Sequence, residues 1–105
     1  MIYYRSDKTN EQLNAEIAQH LGVEPQINYA GDLNEAIKLA AIDTSMSSNM
    51  SRINLRPSTG GWQASVYTDA PVHGDFVGKD EQPARACCLA WLAWRDRYQI
   101  AMQGL

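Results

Sequence analysis

The stretch from Pro83 to Met102 constrains the fold of this chain most strongly, because no Gly or Pro interrupts it after its first residue. Asp80 or Glu81 can cap a helix there, and Pro83 suits a first-turn position, where its missing N–H would be unpaired in any case. Twenty helical residues rise about 30 Å. We therefore predict a helix over 83–102, the strongest element of the chain.

Two apolar stripes run along this predicted helix. The stripe expected to face the core consists of Ala84, Cys87, Cys88, Trp91, Tyr98 and Met102. The opposite side carries Leu89, Ala93 and Ile100, flanked by Arg85, Asp96 and Arg97. An apolar stripe with a charged border indicates a contact: with the N-terminal segment 2–4, with a second copy of the chain, or with a host partner. We favour a homodimer or a partner over the intramolecular contact.

Two capping boxes predict two further helices. Thr9 to Gln12 begins a helix over 10–21, which Gly22 ends in a left-handed conformation. Asp32 to Glu35 begins a helix over 33–43. The inward stripe of this second helix is predicted to be Leu33, Ala36, Ile37, Ala40 and Ala41.

Period-two alternation predicts strands in the middle of the chain. Residues 52–56 place Ile53 and Leu55 on one face, and 57–61 is a turn rich in Pro and Gly. In 62–67, one face carries Trp62, Ala64 and Val66, and the other carries Gln63, Ser65 and Tyr67. Residues 72–77 could add an edge strand. The prediction is an α+β fold in the order α-α-β-β-α, with a small antiparallel sheet of two or three strands packed with helices in a single domain, 1–105.

Composition limits the classes of function. The net charge of −3 and the pI of about 5.2 predict no general attraction to nucleic acid. The two cysteines are adjacent, so no disulfide framework exists and a reducing compartment is favoured. The first residues lack the pattern of a signal peptide, and no apolar run approaches the ~20 residues that span a bilayer. We expect a cytoplasmic protein without a membrane contact.

Reactive residue types occur without the spacing that chemistry requires. Cys87 and Cys88 lie within an apolar stripe, where cysteine packs as a small hydrophobe. His20 and His73 do not combine with them in the paired spacing of a zinc site. Gly60 and Gly61 are not followed by the Lys and Ser or Thr of a phosphate loop. We predict no catalytic, cofactor-binding or metal-binding residue, no cofactor, and no enzymatic activity.

Arg95 is unusual because it falls between Trp91 and Tyr98 on the apolar stripe. Three structural roles are open: extending to solvent, stacking on an aromatic ring, or pairing with an acid such as Glu16.

Binding residues are expected on the sheet and on the last helix. Tyr67 and Phe76 are predicted to be exposed, and 44–51 and 69–79 are predicted to be mobile. Arg52 and Arg56 fall on one side of a strand and could contact nucleic acid, although nearby acids weaken the field. The candidate partner contacts are Tyr67, Phe76, Leu89, Ile100, Arg52 and Arg56.

Several short segments resemble the NinX-like and α/β/α-sandwich families of small phage proteins. They are Leu13 to Ala18 with Leu21–Gly22, Tyr29 to Ala36, Trp62 to Ala64, and Pro83 to Ala86 with Leu89 and Leu92. The resemblance implies a phage or prophage origin and a helix–sheet–helix fold, but no activity and no functional residues. By analogy with other small phage proteins, the implied function is non-catalytic binding to a host protein or complex, such as a defence complex. The alternative is a small nucleic-acid-binding or regulatory domain.

Overall fold

A computed structural model describes residues 2–39, 50–68 and 74–103 of the chain. The elements follow one another as β1 (Ile2–Tyr4), α1 (Asn10–Leu21), α2 (Leu33–Ile37), β2 (Met50–Ser58), β3 (Gly61–Thr68), β4 (Gly74–Asp80) and α3 (Pro83–Gln103). The predicted α+β class is confirmed. In the described part of the chain, every helix is too short or too polar to cross a lipid bilayer.

The four strands form one mixed sheet in the order β1-β4-β3-β2. The pairs β2–β3 and β3–β4 are antiparallel, as predicted, whereas β1 runs parallel to β4 with Tyr4 opposite Gly78. No strand was predicted at β1, because a three-residue strand is too short to show alternation. The strand predicted within 72–77 is present as β4, but its pairing with β1 makes it an interior strand rather than an edge strand. The prediction that 74–79 is mobile is wrong for the same reason, while 44–49 and 69–73 lie outside the described residues.

The β2–β3 hairpin is tighter than predicted. Ser58 pairs with Gly61, so the loop contains two residues, Thr59 and Gly60, rather than five. Gly60 has φ +81°, a conformation that glycine adopts without steric cost. Pro57 lies inside β2, and it is tolerated because β2 is an edge strand of the sheet.

Helix α1 has the predicted boundaries and caps. The Thr9 side chain accepts a hydrogen bond from the Gln12 backbone, and the Gln12 side chain accepts one from the Thr9 backbone. Gly22 ends the helix with φ +73°. Leu13 and Ile17 are buried on its inner side.

Helix α2 begins at the predicted residue, but Asp32 caps it by accepting from Asn34 N at 3.0 Å rather than through the predicted capping box with Glu35. It ends at Ile37, six residues before the predicted end at 43; residues 40–43 lie outside the described part. The predicted stripe is wrong at Ile37, which is 47% exposed, while Leu39 is fully buried. The helix ends in a turn at Lys38, and Leu39 rather than Ile37 reaches the core.

The three helices with described ranges lie on one side of the sheet. Helix α3 packs on β3 and β4, and both α1 and α2 pack on α3, so α3 forms the middle layer. Among the described residues the layers are the sheet, then α3, then α1 with α2; a helix on the other face of the sheet, which the resemblance implies, is not among the described elements. The position of α3 in the middle layer explains why this helix is apolar on two sides. The side chains buried along it include Cys87, Cys88, Trp91 and Trp94, all at 0% exposure.

Gly78 is the point where α3 comes closest to the sheet. A Cβ built on Gly78 would lie 2.6 Å from the Ala90 backbone nitrogen and would also collide with the Ala86 carbonyl oxygen. Ala86 and Ala90 are fully buried. Three small residues thus let the backbone of the helix approach the backbone of β4.

Candidate interaction surfaces

Phe76 and Leu89 lie in the core, so the prediction that Phe76 is exposed is wrong. Phe76 is 7% exposed and pairs with the buried Val66, on the face of the sheet that α3 covers. Leu89 is 6% exposed and Ala93 is 8% exposed within the single chain. Contacts within the chain thus cover most of the surface of these two residues, and our preference for an external contact to this stripe is wrong for that part. The small part that stays exposed lines a groove.

The other predicted contact residues belong to strands or to α3, but only Arg56 has a described side chain. Tyr67 pairs with Asp75 through the backbone. Arg52 falls where the β2–β3 register shifts by one residue, between Met50 and Ile53. The side chains of Tyr67, Arg52 and Ile100 lie outside the described residues. Arg56 is exposed and pairs with Gln63.

A groove of about 440 Å³ lies beside the second apolar stripe of α3. We call it the N-terminal groove, because the segment after β1 forms one wall and α1 and α3 form the others. The apolar part of its lining consists of Tyr4, Leu13, Leu89, Leu92 and Ala93, and the polar part consists of Arg5, Ser6, Lys8, Glu16 and Asp96. The charged border predicted for the stripe is thus present, at Asp96, together with charges from α1 and the N-terminal segment.

One ion pair and one histidine–carboxylate contact lie at the border of this groove. Lys8 Nζ lies 2.8 Å from Glu16 Oε2, and His20 Nε2 lies 3.0 Å from Asp96 Oδ1. A groove with an apolar floor and polar groups at its border is suited to an apolar side chain.

Arg95 stacks on an aromatic ring, which confirms one of its three predicted roles. Its guanidinium carbon lies 5.8 Å from the centroid of Trp91. One guanidinium nitrogen donates to the carbonyl of His20 at 3.0 Å, at the end of α1. Burial lowers the pKa of Arg95, and the neighbouring Asp96 carboxylate acts in the opposite direction. Arg95 therefore joins α1 to α3, and the carboxylate of Glu16 pairs with Lys8.

The face of the sheet that points away from α3 carries a row of polar residues that crosses the strands. By register, Arg56 of β2, Gln63 of β3 and Lys79 of β4 are neighbours. Tyr4 pairs with Gly78 in the parallel strands, so the next residues of the two strands, Arg5 and Lys79, lie side by side. Both line the same cleft of about 400 Å³. Arg5 and Arg56 are exposed and Lys79 is half-buried, whereas Gln63 is only 6% exposed and Val77, on the same face, is 1% exposed. We call Arg5, Arg56, Gln63 and Lys79 the cross-strand row.

The two cysteines are not suited to nucleophilic chemistry. Burial raises the pKa of Cys87 to about 11, and burial together with the neighbouring Cys87 raises the pKa of Cys88 to about 12. Both thiols therefore stay protonated at neutral pH, and a thiol is a much weaker nucleophile than a thiolate. In the described ranges, no three His, Cys, Asp or Glu residues come together in a way that could hold a metal ion.

Comparison with models of protein families, with curated proteins and with solved structures found no match. The resemblance to small phage proteins therefore stays a prediction.

Neither the groove nor the cross-strand row was predicted from the sequence. Each combines residues more than 70 positions apart, such as Tyr4 with Leu89 and Arg5 with Lys79. The pairing of β1 with β4 brings them together, and β1 was not predicted. The charged border of the 89–93 stripe was the one local signal of the groove.

Proposed function

We propose that this chain is a small phage- or prophage-encoded accessory protein of the host cytoplasm that acts by binding a protein partner, without catalysis. The observation that supports binding is the N-terminal groove. Its floor is formed by Leu13, Leu89, Leu92 and Ala93, and its volume of about 440 Å³ accommodates a large side chain. The phage setting rests on the resemblance alone. In that setting the partner is a host protein or complex, with a defence complex as the leading candidate.

The groove favours one mode of contact. Protein interfaces draw much of their binding energy from a few apolar or aromatic side chains that fill pockets, surrounded by a polar border that excludes water. The N-terminal groove offers such a pocket, and the Lys8–Glu16 and His20–Asp96 pairs form the border. We therefore expect a partner to insert an apolar side chain between α1 and α3.

The experiment places a photo-crosslinking amino acid at Lys8 in the protein produced in a bacterial host. Lys8 lines the groove and its side chain is 52% exposed. The same substitution at Lys38, next to α2, serves as the positional control. Crosslinking of a defined host protein from position 8 and not from position 38 is expected.

Filling the groove supplies the second arm of the test. Ala93→Leu adds three carbons at the groove lining, whereas Ala15→Leu makes the same change at an exposed position of α1 outside the groove. We expect Ala93→Leu to abolish the crosslink and Ala15→Leu to leave it, with unchanged helical circular dichroism in both. An equal crosslink in the two variants would contradict a role of the groove. A crosslink to a second copy of the chain would mean that the groove forms a homodimer contact and does not bind a host protein.

A further inference from the structure

We infer that the N-terminal groove recognises a peptide segment of its partner in which an acidic residue lies one or two positions from the apolar side chain, and that Arg5 pairs with this acid. The inference rests on the proposed function, because it names the chemistry of the partner that the same groove would bind. It depends on which of the charges around the groove already have a partner within the chain.

Arg5 is the base of the groove that lacks an acidic partner. It lines the groove and is exposed. The other base of the lining is Lys8, whose ammonium group already lies 2.8 Å from the carboxylate of Glu16. Within the described part of the chain, no carboxylate lies within ion-pair distance of the Arg5 guanidinium. A guanidinium presents its N–H donors in a planar fork that matches a carboxylate, so Arg5 can pair with an acid that the partner supplies.

The groove has a basic end and an acidic end. Arg5 lies at the end near the start of α3, because the carbonyl of the next residue, Ser6, accepts a hydrogen bond from the first turn of that helix. Asp96 lies three turns farther along α3, about 16 Å away along the helix axis, and its carboxylate contacts His20. The apolar floor that α3 contributes, within 89–93, lies between the two ends. An acid beside Arg5 is therefore kept apart from the carboxylate of Asp96.

The length of the groove sets the spacing between the acid and the apolar side chain. Leu89, the floor residue of α3 nearest to the basic end, lies about 6 Å along the helix axis from Arg85 in the first turn. An extended chain covers about 3.3 Å per residue, so one or two residues span this distance. Asp7 and Glu81, exposed acids of the cleft that Arg5 also lines, disfavour an acid farther from the floor. The acid of the partner is thus expected close to the apolar residue.

The first test selects peptides from a random displayed library on the immobilised protein. The wild type is compared with the charge-reversed Arg5→Glu, and Lys38→Glu, outside the groove, is the control. The wild type and the control should select an apolar residue with Asp or Glu one or two positions away. Arg5→Glu should select an apolar residue with Lys or Arg in place of the acid. Because Arg5 is exposed, this variant should retain the wild-type thermal melt.

A double-mutant cycle on one selected peptide then measures the contact itself. The Kd is measured by fluorescence anisotropy for the peptide and for its version with the acid replaced by the amide, against the wild type and Arg5→Gln. Replacing the acid should weaken binding to the wild type about two- to fivefold, as expected for an ion pair near the surface. The same replacement should leave the Kd for Arg5→Gln unchanged.

Failure of the inference can be distinguished from failure of the groove. An apolar preference that Ala93→Leu abolishes, without an acid preference or with one that survives Arg5→Glu, would overturn the role of Arg5 and leave the groove as a binding site. No selected peptide, or peptides that bind Ala93→Leu as well as the wild type, would contradict the groove and this inference with it. A preference that also reverses in Lys38→Glu would reflect net charge alone and would overturn the inference.

Discussion

Arg85 Nε donates to both carboxylate oxygens of Asp80, at 3.1 and 3.2 Å, and so joins the first turn of α3 to the end of β4. The same guanidinium reaches the Asn10 side chain at 2.8 Å and the Ser6 carbonyl at 3.1 Å. One side chain therefore connects α3, β4, α1 and the segment after β1. Asp80 also accepts from Gln82 N at 3.0 Å, so a single pair fixes the turn that leads into α3.

Arg85→Met should destabilise the protein by about 2–3 kcal/mol, because it leaves a mostly buried carboxylate and two other acceptors without their donor. The side chains of Arg85 and Asp80 are only 13% and 15% exposed. Urea denaturation provides the measurement. Lys38→Met breaks the exposed Lys38–Glu35 pair and should cost less than about 0.5 kcal/mol. Similar losses in the two variants would show that the Arg85 contacts contribute little.

Gly78→Ala should destabilise the protein by about 1–3 kcal/mol or prevent folding, because a single methyl group collides with the backbone of α3. Gly22→Ala provides the comparison. A methyl group added at Gly22 would meet nothing within 4 Å, so this substitution costs only the strain of a φ of +73°, about 1 kcal/mol. Thermal and urea unfolding of both variants measure the difference. A smaller effect at Gly78 than at Gly22 would mean that α3 can move away from the sheet at little cost.

Both thiols should resist modification by a disulfide reagent at about pH 8 in the native protein and react fully in urea. Complete burial and the raised pKa values of Cys87 and Cys88 both protect them. The number of thiols that have reacted, followed over time in the native protein and in urea, measures the protection. Rapid reaction of either cysteine under native conditions would contradict the middle position of α3.

Alkaline pH should destabilise the protein through the same thiols. The pKa of Cys87 rises from 9.0 to about 11 on folding and that of Cys88 from 9.0 to about 12, so both states are protonated below pH 9. Above pH 9 the unfolded chain releases protons that the folded chain retains, and the free energy of unfolding falls, by about 2 kcal/mol for each thiol at pH 11. The pH dependence from 9 to 11 should be weaker in a Cys87→Ala, Cys88→Ala variant. Equal slopes for variant and wild type would contradict this assignment. Burial raises the pKa of Tyr29 as well, so some alkaline loss should remain in the variant.

Asn14→Ala should loosen the connection between α1 and α2. The Asn14 amide donates to Asn28 at 2.8 Å and its oxygen accepts from Ala30 N at 2.8 Å. We expect a loss of about 1–2 kcal/mol and faster amide exchange in 23–31. Asn34→Ala, at an exposed position of α2, is the matched control and should change neither quantity. Unchanged exchange in Asn14→Ala would mean that the connection is held by Tyr29 and Ala30 in the core.

Local signals predicted α1 and α3 well, the start of α2 but not its end, and the sheet only in part. The capping box at Thr9 and the glycine at 22 define α1 without any tertiary contact, and the break-free stretch from Pro83 defines α3. The alternation of β2 and β3 likewise predicted the face that carries Ala64 and Val66. Each of these patterns lies within one element.

The rest depends on contacts between distant parts of the chain. The three residues of β1 become a strand only by pairing with β4, and the burial of Phe76 could not be inferred while β4 was taken for an edge or a loop. The second apolar stripe of α3 also depends on contacts with distant parts of the chain. Leu89 and Ala93 are apolar because α3 is enclosed within the chain, which a helical wheel cannot distinguish from an external interface. Both candidate surfaces require the β1–β4 pairing, so neither could be predicted before it.

The middle position of α3 also governs the order in which the chain can fold during synthesis. The ribosome makes α3 after every other described element. The sheet lies on one side of α3 and α1 and α2 lie on the other, and both layers pack mainly on α3. At about 5–20 residues per second, the hairpin and α1 wait for seconds with their apolar faces uncovered. β1 also waits, from the first residues until its partner at 76–78 has been made. Nascent chains arrested before residue 83 should therefore expose the sheet to chaperones and proteases, and protection should appear abruptly once α3 has left the ribosome.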